Sequence, residues 1–496
     1  MQPYAWQPRI NLAVGFESET ENRMDSDLGV PDSIVAFDNS QGDSVQGTLV
    51  RHDRNSCVLE VYNPYSIVQL SEVLNNVRIR RGDRNVYTGR AVVTNLVNTG
   101  IMVMVSASLV DPWSDVNDIV PGPQLQREVA NFVDNWSTAN RQLRKSYQSC
   151  VSDARNFLEE LNRWVDHSEA ILAAHDQSSS SDLLLEFVQD VDSQVIGTLN
   201  ELFGRFEEEA RAVPEEDLLI HKAFARRELH PLMLCAPFMH RAFNKPLGYA
   251  GDYLMVDMIL RSPYEGPTSY AKVLNKATLR TDTAEAHRNR IVELTQLLEN
   301  EARRASELRR PIRVLNIGCG PAVELQRFLA KSWLSDKVDL TLVDFNEPTL
   351  EFAEAKLREI AGEHSRKTTM QFVHRSVHEL LKQALRAQDD SEEKYDLVYC
   401  AGLFDYLTDK VCSRLTQLFY RWLHPGGAVM VTNVHADQPV RGFMEHLQEW
   451  SLVLRNEQQM VGLVPGLPLE RIYVDMTGAN VFMLLRCPGE GAEEPH

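Results

Sequence analysis

The C-terminal part of the chain, residues 312–487, alternates short apolar segments with amphipathic ones, and this alternation narrows the possible folds more than any other feature. Segments such as IRVLNIG, LTLVD and YDLVYCAGL are apolar almost throughout, as strands buried on both faces are. The segments between them have the three- and four-residue spacing of amphipathic helices. The pattern predicts a multidomain α/β protein whose C-terminal domain is a Rossmann-like parallel sheet with helices on both faces.

The last two apolar segments depart from this alternation. Only residues 477–480 separate ERIYVDM from VFMLLRC, and this gap is too short for the crossover helix that joins parallel neighbours. We therefore predict that the seven-stranded sheet ends in an antiparallel hairpin.

Length and charge narrow the function. A chain of 496 residues is expected to form several domains. A formal charge of −19 argues against a nucleic-acid backbone or an anionic lipid surface as partner. The seven cysteines are dispersed and form no C-x-x-C pair, so we expect no zinc site, no disulfide framework and a reducing cytoplasm. Neither a signal peptide nor an apolar window of about 18 residues is present, so we expect no membrane span.

The N-terminal half has two different patterns. Short β-branched segments between residues 45 and 112 predict five strands of a small barrel or sandwich, preceded by a flexible acidic arm over residues 17–44. Residues 124–212 have helical spacing and predict two long antiparallel helices joined near residues 178–182, which also favour a homodimer. The predicted domains are a β-barrel with its arm (1–115), a helical region (116–283), the α/β domain (284–487) and a disordered tail (488–496).

The sequence VLNIGCGPAVE, residues 314–324, passes from an apolar strand through a glycine turn into a helix. Gly318 and Gly320 let a ligand approach main-chain N–H groups at the helix start. Asp344 ends the next strand, where a carboxylate can accept hydrogen bonds from ribose hydroxyls. A dinucleotide site would have G-x-G-x-x-G, whereas this loop has G-C-G-P and Glu324 near the helix start, where it would repel a pyrophosphate. A nucleoside without phosphate fits better, and an NAD-dependent oxidoreductase is the weaker alternative.

These motifs, in this order, resemble those of the class I S-adenosylmethionine-dependent methyltransferases over residues 284–487. The matching positions are the glycine loop (316–321), Asp344, the third-strand end (375–378), the fourth strand (395–403) and the turn at 424–427. The resemblance implies S-adenosyl-L-methionine as cofactor, its ribose held by Asp344. The full set of implied cofactor contacts is Arg288, Asn316, Gly318, Cys319, Gly320, Pro321, Asp344, Phe345, Asn346, Ser376, Val377, Cys400, Ala401 and Gly402.

An upstream segment narrows the resemblance. KPLGYAGDY (245–253) and HRNR (287–290) resemble a methyltransferase family associated with 3-hydroxy fatty acid methyl esters, which are bacterial quorum-sensing signals. The resemblance implies a small-molecule acyl acceptor methylated on its carboxylate, with Arg288 or Arg290 paired to the carboxylate of cofactor or acceptor. A carboxylate acceptor needs no strong base. A hydroxyl or amine acceptor would need one, for which the candidates are Tyr249, Asp252, His435 and Asp405.

The N-terminal strands contain a second, weaker motif. Residues 80–84 match R-x-x-x-R, and residues 95–100 come close to [D/N]-x-S-x-x-G with Val97 at the serine position. The barrel thus resembles a degenerate PilZ-type domain, which implies cyclic di-GMP as a partner at Arg80, Arg84 and Asn95. The alternative function is a cyclic di-GMP receptor or regulatory protein whose Rossmann-like domain is not catalytic.

Overall fold

A computed structural model describes residues 33–52, 56–62, 68–81, 84–98, 102–111, 122–175, 181–304, 310–386 and 394–489. The predicted domain boundary after residue 115, most of the predicted acidic arm and most of the predicted C-terminal tail lie outside these ranges.

Six antiparallel strands close into a barrel in the order β1-β2-β3-β6-β5-β4. The strands are β1 (Ser33–Asp38), β2 (Ser44–His52), β3 (Ser56–Tyr62), β4 (Val73–Arg81), β5 (Arg84–Asn98) and β6 (Met102–Leu109). The predicted barrel is confirmed, but it has one strand more than expected. Strand β1 lies in the segment predicted as a flexible arm. Its Val35 and Phe37 alternate with polar or exposed neighbours and are almost completely buried in the barrel core.

Seven helices form the middle of the described chain. They are α1 (Pro123–Gln142), α2 (Lys145–His175), α3 (Ser181–Arg211), α4 (Leu218–Met233), α5 (Pro237–Asn244), α6 (Tyr253–Leu260) and α7 (Ser269–Thr278). Arg205 pairs with Asp153 at 3.0 Å, and Phe187 stacks on Trp164 with ring centroids 6.4 Å apart. The contact nearer the start of α2 involves the end of α3, and the contact further along α2 involves the start of α3. The two helices are therefore antiparallel, as predicted.

The C-terminal sheet has seven strands in the order β12-β13-β11-β10-β7-β8-β9. Its elements and the helix before it are α8 (Asp282–Arg304), β7 (Ile312–Ile317), α9 (Val323–Lys331), β8 (Val338–Asp344), α10 (Glu347–Glu363), β9 (Thr369–His374), α11 (Val377–Arg386), β10 (Tyr395–Cys400), α12 (Asp409–Arg421), β11 (Leu423–Val434), α13 (Arg441–Leu447), α14 (Glu457–Gly462), β12 (Leu469–Val474) and β13 (Asn480–Arg486). Strand β13 pairs antiparallel with both β12 and β11, while the other neighbours are parallel. The predicted Rossmann-like fold with its terminal hairpin is confirmed.

Helical spacing over residues 440–454 predicts one helix there, and the helix in the structure is shorter. Helix α13 ends at Leu447, and Glu449 takes a left-handed backbone conformation (φ 53°) that turns the chain away. The main chain directly after this turn is not helical and pairs with another segment: Val453 N donates a hydrogen bond to Asp405 O at 2.7 Å. Residues 450–452 are thereby brought to the carboxyl ends of the strands.

The strand order reverses at β7, which lies between β8 and β10. In open α/β sheets the crevice above such a reversal, at the carboxyl ends of the strands, is the usual place for a ligand. Among the described helices, none combines the length and the apolar composition that crossing a bilayer requires.

Candidate active site

A cavity lies at the carboxyl ends of β7, β8 and β10, and the glycine loop forms its floor. Gly318 and Gly320 both have left-handed backbone conformations, with φ of 67° and 52°. The N–H groups of Gly318 and Cys319 donate to Val343 O at 2.8 and 3.2 Å, which ties the loop to β8. A Cβ atom at Gly320 would meet no atom within 4 Å, so this face of the loop is open.

Asp344 lies beside this open face. One carboxylate oxygen accepts a hydrogen bond from Gly320 N at 3.2 Å, and the other accepts one from Asn346 N at 3.0 Å. The side chain is 7% exposed, and burial raises the pKa of its carboxyl group. The loop and the carboxylate therefore form one cradle, and Asp344 lines the cavity.

Aromatic and apolar side chains flank the cradle. The Phe345 and Tyr249 rings lie 5.0 Å apart, centroid to centroid, at an interplanar angle of 59°. Val377 and Leu380 complete the same side of the cavity. Burial raises the pKa of Tyr249, so its hydroxyl stays protonated at neutral pH. This side offers aromatic and apolar surface of the kind that packs against a base.

A buried cation without an ion-pair partner lies elsewhere in the cavity. Arg290, on α8, is 9% exposed, and a Cβ atom on Gly402 would come within 3.0 Å of its Nη1. Within the part of the chain that the structure describes, its guanidinium forms neither an ion pair nor a hydrogen bond, and burial lowers its pKa. Burying an unpaired charge is unfavourable. A ligand carboxylate would supply the missing partner.

Ten of the predicted cofactor contacts line this cavity, together with Arg290. They are Asn316, Gly318, Cys319, Gly320, Pro321, Asp344, Phe345, Val377, Ala401 and Gly402. The structure therefore brings most of the predicted set together, and their contact with a cofactor remains a prediction.

Four predicted cofactor contacts do not line the cavity. Arg288 donates to Ile259 O, Leu279 O and the Glu285 carboxylate, because residues two apart on a helix point about 200° apart. The other three have local roles. Asn346 caps α10 by accepting from Thr349 N at 3.0 Å, Ser376 exchanges hydrogen bonds with Glu379, and Cys400 is fully buried. The cofactor contacts of these four residues stay predictions.

Two of the four candidate bases do not line the cavity, and their catalytic role stays a prediction. Asp252 is completely buried, caps α6 by accepting from Leu254 N and Met255 N, and pairs with Arg241 at 2.9 Å. His435 accepts from Asp437 N at 3.1 Å and lies 3.2 Å from the Glu457 carboxylate. Neither side chain lines the cavity.

Tyr249 and Asp405 do line the cavity. Asp405 accepts a hydrogen bond from Val434 N at 2.6 Å. Burial raises its pKa to about 6. At neutral pH this carboxyl group is therefore mostly ionised but close to its titration range, as a general base would be.

Several residues of the cavity carried no individual signal in the sequence. Tyr406 accepts a hydrogen bond from Trp450 Nε1 at 3.1 Å. Gly251 (φ 73°) approaches this pair so closely that a Cβ atom would lie 2.6 Å from the Tyr406 hydroxyl. His287 Nδ1 lies 2.9 Å from Thr283 O, which can only accept, so Nδ1 carries the proton and Nε2 is left as an acceptor. Burial lowers the pKa of His287 to about 3, so the ring is neutral.

The barrel also contributes to the cavity, through Glu72 among others. Its carboxylate accepts hydrogen bonds from Ser40 N at 2.7 Å, Ser40 Oγ at 2.6 Å and Gln69 N at 2.7 Å. Burial outweighs these bonds and raises its pKa from 4.5 to about 7. A carboxyl group whose pKa is higher in the folded chain stabilises the fold at low pH, and this contribution is lost as the pH rises through the folded value.

Glu72→Gln should therefore change how stability depends on pH. The wild-type contribution should fall by roughly 3 kcal/mol as the pH rises from below 4.5 to above 7, and the variant, which cannot ionise, should lack this fall. Urea unfolding at pH 5, 6.5 and 8 measures it, with Glu60→Gln on β3 as control. A constant difference in unfolding free energy between Glu72→Gln and wild type across this range would contradict the assignment.

The structure does not bring the predicted cyclic di-GMP residues together. Arg80 pairs across the hairpin with Asn85, whereas Asn95 lies ten residues further along β5 and is exposed. Ten residues of strand correspond to roughly 30 Å of chain. The two motif elements thus lie at different places on the barrel, while the placement of the Arg84 side chain lies outside the described positions.

Comparison with known proteins identifies part of the chain. Residues 314–427, which carry the cavity-lining ends of β7, β8 and β10, match the family model described as "Methyltransferase domain". No curated protein sequence matches the chain.

Solved structures similar to this chain include three methyltransferases. Magnesium protoporphyrin IX methyltransferase from Synechocystis PCC 6803, with bound SAH, is 11% identical (42% of this chain, 85% of that chain, TM-score 0.31). N-methyltransferase NodS from Bradyrhizobium japonicum WM9, in complex with S-adenosyl-L-homocysteine, is 15% identical (41% and 88%, TM-score 0.28). An O-methyltransferase family protein from Burkholderia thailandensis is 14% identical (48% and 68%, TM-score 0.28).

Proposed function

We propose that this chain is an S-adenosyl-L-methionine-dependent methyltransferase that converts the carboxylate of a fatty acid, a 3-hydroxy fatty acid by its family resemblance, into a methyl ester used as a bacterial signal. The observation that carries the proposal is that one cavity contains both the glycine-loop cradle with Asp344 and the unpaired guanidinium of Arg290. A nucleoside that bears an amino-acid carboxylate matches both features.

The residues of the cavity fit this cofactor. The open face at Gly320 leaves room for the nucleoside, and the Asp344 carboxylate beside it can accept from ribose hydroxyls. Phe345 and Tyr249 offer the apolar surface for the base, and Arg290 offers a two-point donor for the carboxylate. This cofactor has no phosphate, so the loop does not need to bind an anion there. The buried Glu324 near the start of α9 agrees with this, because its carboxylate would repel a phosphate.

The acceptor is inferred from the shape and lining of the cavity. A small apolar cavity shares Thr283, His287, Met444 and Trp450 with the active-site cavity. It also shares Thr278, Thr281, Val440 and Phe443 with a larger cavity between α3, α5 and α7. The small cavity therefore adjoins the active-site cavity on one side and the larger cavity on the other. The aliphatic tail of the acceptor would extend from the active-site cavity toward the small apolar one.

The reaction requires positioning more than acid–base chemistry. When bound, the cofactor supplies an electrophilic methyl group: an acceptor carboxylate oxygen forms the new O–C bond while the S–C bond breaks, which leaves a methyl ester and S-adenosylhomocysteine. A carboxylate is already ionised at neutral pH, so no protein group must remove a proton. Apolar side chains such as Leu452, Met444 and Trp450 keep water from the reacting oxygen.

We expect the purified full chain to transfer label from S-adenosyl-L-[methyl-³H]methionine to 3-hydroxy fatty acids. The labelled ester should partition into organic solvent, and mild alkali should release the label from it as methanol. The matching fatty alcohols, which lack the carboxylate, serve as control acceptors. Label in the alcohol products, or in none of the products while S-adenosylhomocysteine binds, would refute the carboxylate acceptor. Binding of cyclic di-GMP without binding of S-adenosylhomocysteine would favour the receptor function instead.

A further inference from the structure

The barrel forms part of the wall of the active-site cavity. Gln69, Leu70 and Glu72 belong to the barrel loop of residues 68–72, which precedes β4, and all three line the cavity. The other described lining residues lie between positions 249 and 452. The cavity is thus completed by a part of the chain that lies far from it in sequence.

Ser71 fixes this loop to the methyltransferase part of the chain. Its Oγ donates a hydrogen bond to Ser451 O at 2.8 Å and accepts one from Ser451 N at 2.7 Å. The side chain is completely buried, and its backbone is left-handed (φ 61°), a conformation that residues with a Cβ atom rarely adopt. Such a conformation persists where the surrounding contacts hold it in place.

Further main-chain bonds hold the loop from both sides. On the barrel side, Ser71 N donates to Val93 O at 2.9 Å, and Val93 N donates to Glu72 O at 2.8 Å. On the other side, Val73 N donates to Gly248 O at 2.7 Å. The two partners outside the barrel, Gly248 and Ser451, adjoin lining residues of the cavity, so the loop is bound where the cavity wall is built.

We propose that loop 68–72 is a functional wall of the active site, and that Leu70 and Ser71 are positioning residues that keep the cofactor enclosed. The inference rests on the proposed function, because it takes S-adenosylmethionine as the molecule in the cavity. Leu70 packs on the barrel core with one part of its surface and lines the cavity with another. Release of the loop would admit water along this wall, so a bound nucleoside would leave faster.

The dissociation rate of S-adenosylhomocysteine from the full chain tests this inference without any acceptor. We expect Ser71→Ala and Ser71→Gly to raise the rate about tenfold, because both remove the hydroxyl that makes two hydrogen bonds. Glycine also relieves the left-handed backbone, so an equal effect of both variants assigns the change to the hydroxyl. Ser106→Ala, on β6 away from the cavity, is the control and should stay within about twofold of wild type.

A leucine pair repeats the test independently of Ser71, should the serine variants fail to fold. Leu70 and Leu96 both pack against the barrel core, but only Leu70 lines the cavity. Leu70→Ala should raise the dissociation rate about fivefold, and Leu96→Ala should leave it unchanged, although both lose barrel packing. Rates within about twofold of wild type for Leu70→Ala and the folded Ser71 variants would overturn the inference. A wild-type chain that does not bind S-adenosylhomocysteine would refute the proposed function, and this inference with it.

Discussion

Asp344→Ala is expected to weaken the binding of S-adenosylhomocysteine by about a hundredfold or more, because hydrogen bonds to a charged acceptor contribute roughly 1.5–3 kcal/mol each. The carboxylate ends β8 beside the open face of Gly320 and lines the cavity, where ribose hydroxyls would donate to it. Isothermal titration calorimetry on the full chain measures the loss.

Two matched variants make this result specific. Asp344→Asn keeps one carbonyl oxygen for the loop and should lose about tenfold in affinity. Asp339→Ala removes a carboxylate from the other end of the same strand and should bind like wild type. If Asp344→Ala retained wild-type affinity while Asp339→Ala did too, the ribose assignment would be wrong.

Arg290→Ala is expected to reduce the affinity for S-adenosylhomocysteine by about a hundredfold, since the guanidinium is buried and forms no direct ion pair or hydrogen bond among the described residues, although Asp405 and Glu324 lie near enough to raise its pKa. Arg290→Lys keeps the charge but loses the two-point fork, so a loss of about tenfold is expected. Arg288→Ala is the matched control on the same helix, because its guanidinium bonds to Ile259 O and Leu279 O instead.

A truncated ligand separates the two ends of the cavity. 5′-Methylthioadenosine has the ribose and base but lacks the amino-acid carboxylate. Asp344→Ala should weaken both ligands, whereas Arg290→Ala should weaken only S-adenosylhomocysteine. If Arg290→Ala left both affinities unchanged and raised only the KM of the acceptor, the carboxylate that it binds would belong to the acceptor.

The glycine loop and Asp344 were predictable because their signal is local. A strand, a turn and a helix follow one another within residues 312–331, and positive φ at Gly318 and Gly320 needs the absence of a side chain. The neighbouring strand then brings Asp344 to the same edge of the sheet. The regular alternation along the chain likewise determines the sheet and its terminal hairpin.

The choice between Arg288 and Arg290 was not predictable, because it depends on the rotation of α8 about its axis. That rotation is set by the packing of Ile291, Leu294 and Leu298 against other elements, which the sequence pattern alone does not orient. The partners of Asp252 and His435 were not predictable for a related reason. A polar residue near a core can be satisfied by a helix cap or a neighbouring main-chain group, and both have such partners here.

Loop 68–72 gave no sequence signal at all, because a wall contributed by another domain depends on how the domains pack. Strand β1 was predicted as part of a flexible arm for a different reason. The acidic composition around it indicates a flexible segment, and only the closure of the barrel makes the burial of Val35 and Phe37 favourable.

The hydrogen bonds between Ser71 and Ser451 join residues 380 positions apart. A ribosome adds about 5–20 residues per second, so Ser451 is synthesised roughly 20–80 seconds after Ser71. During that interval the Ser71 hydroxyl lacks the partner that joins the loop to Ser451. A nascent chain can therefore complete this wall of the cavity only after residue 451 has been translated.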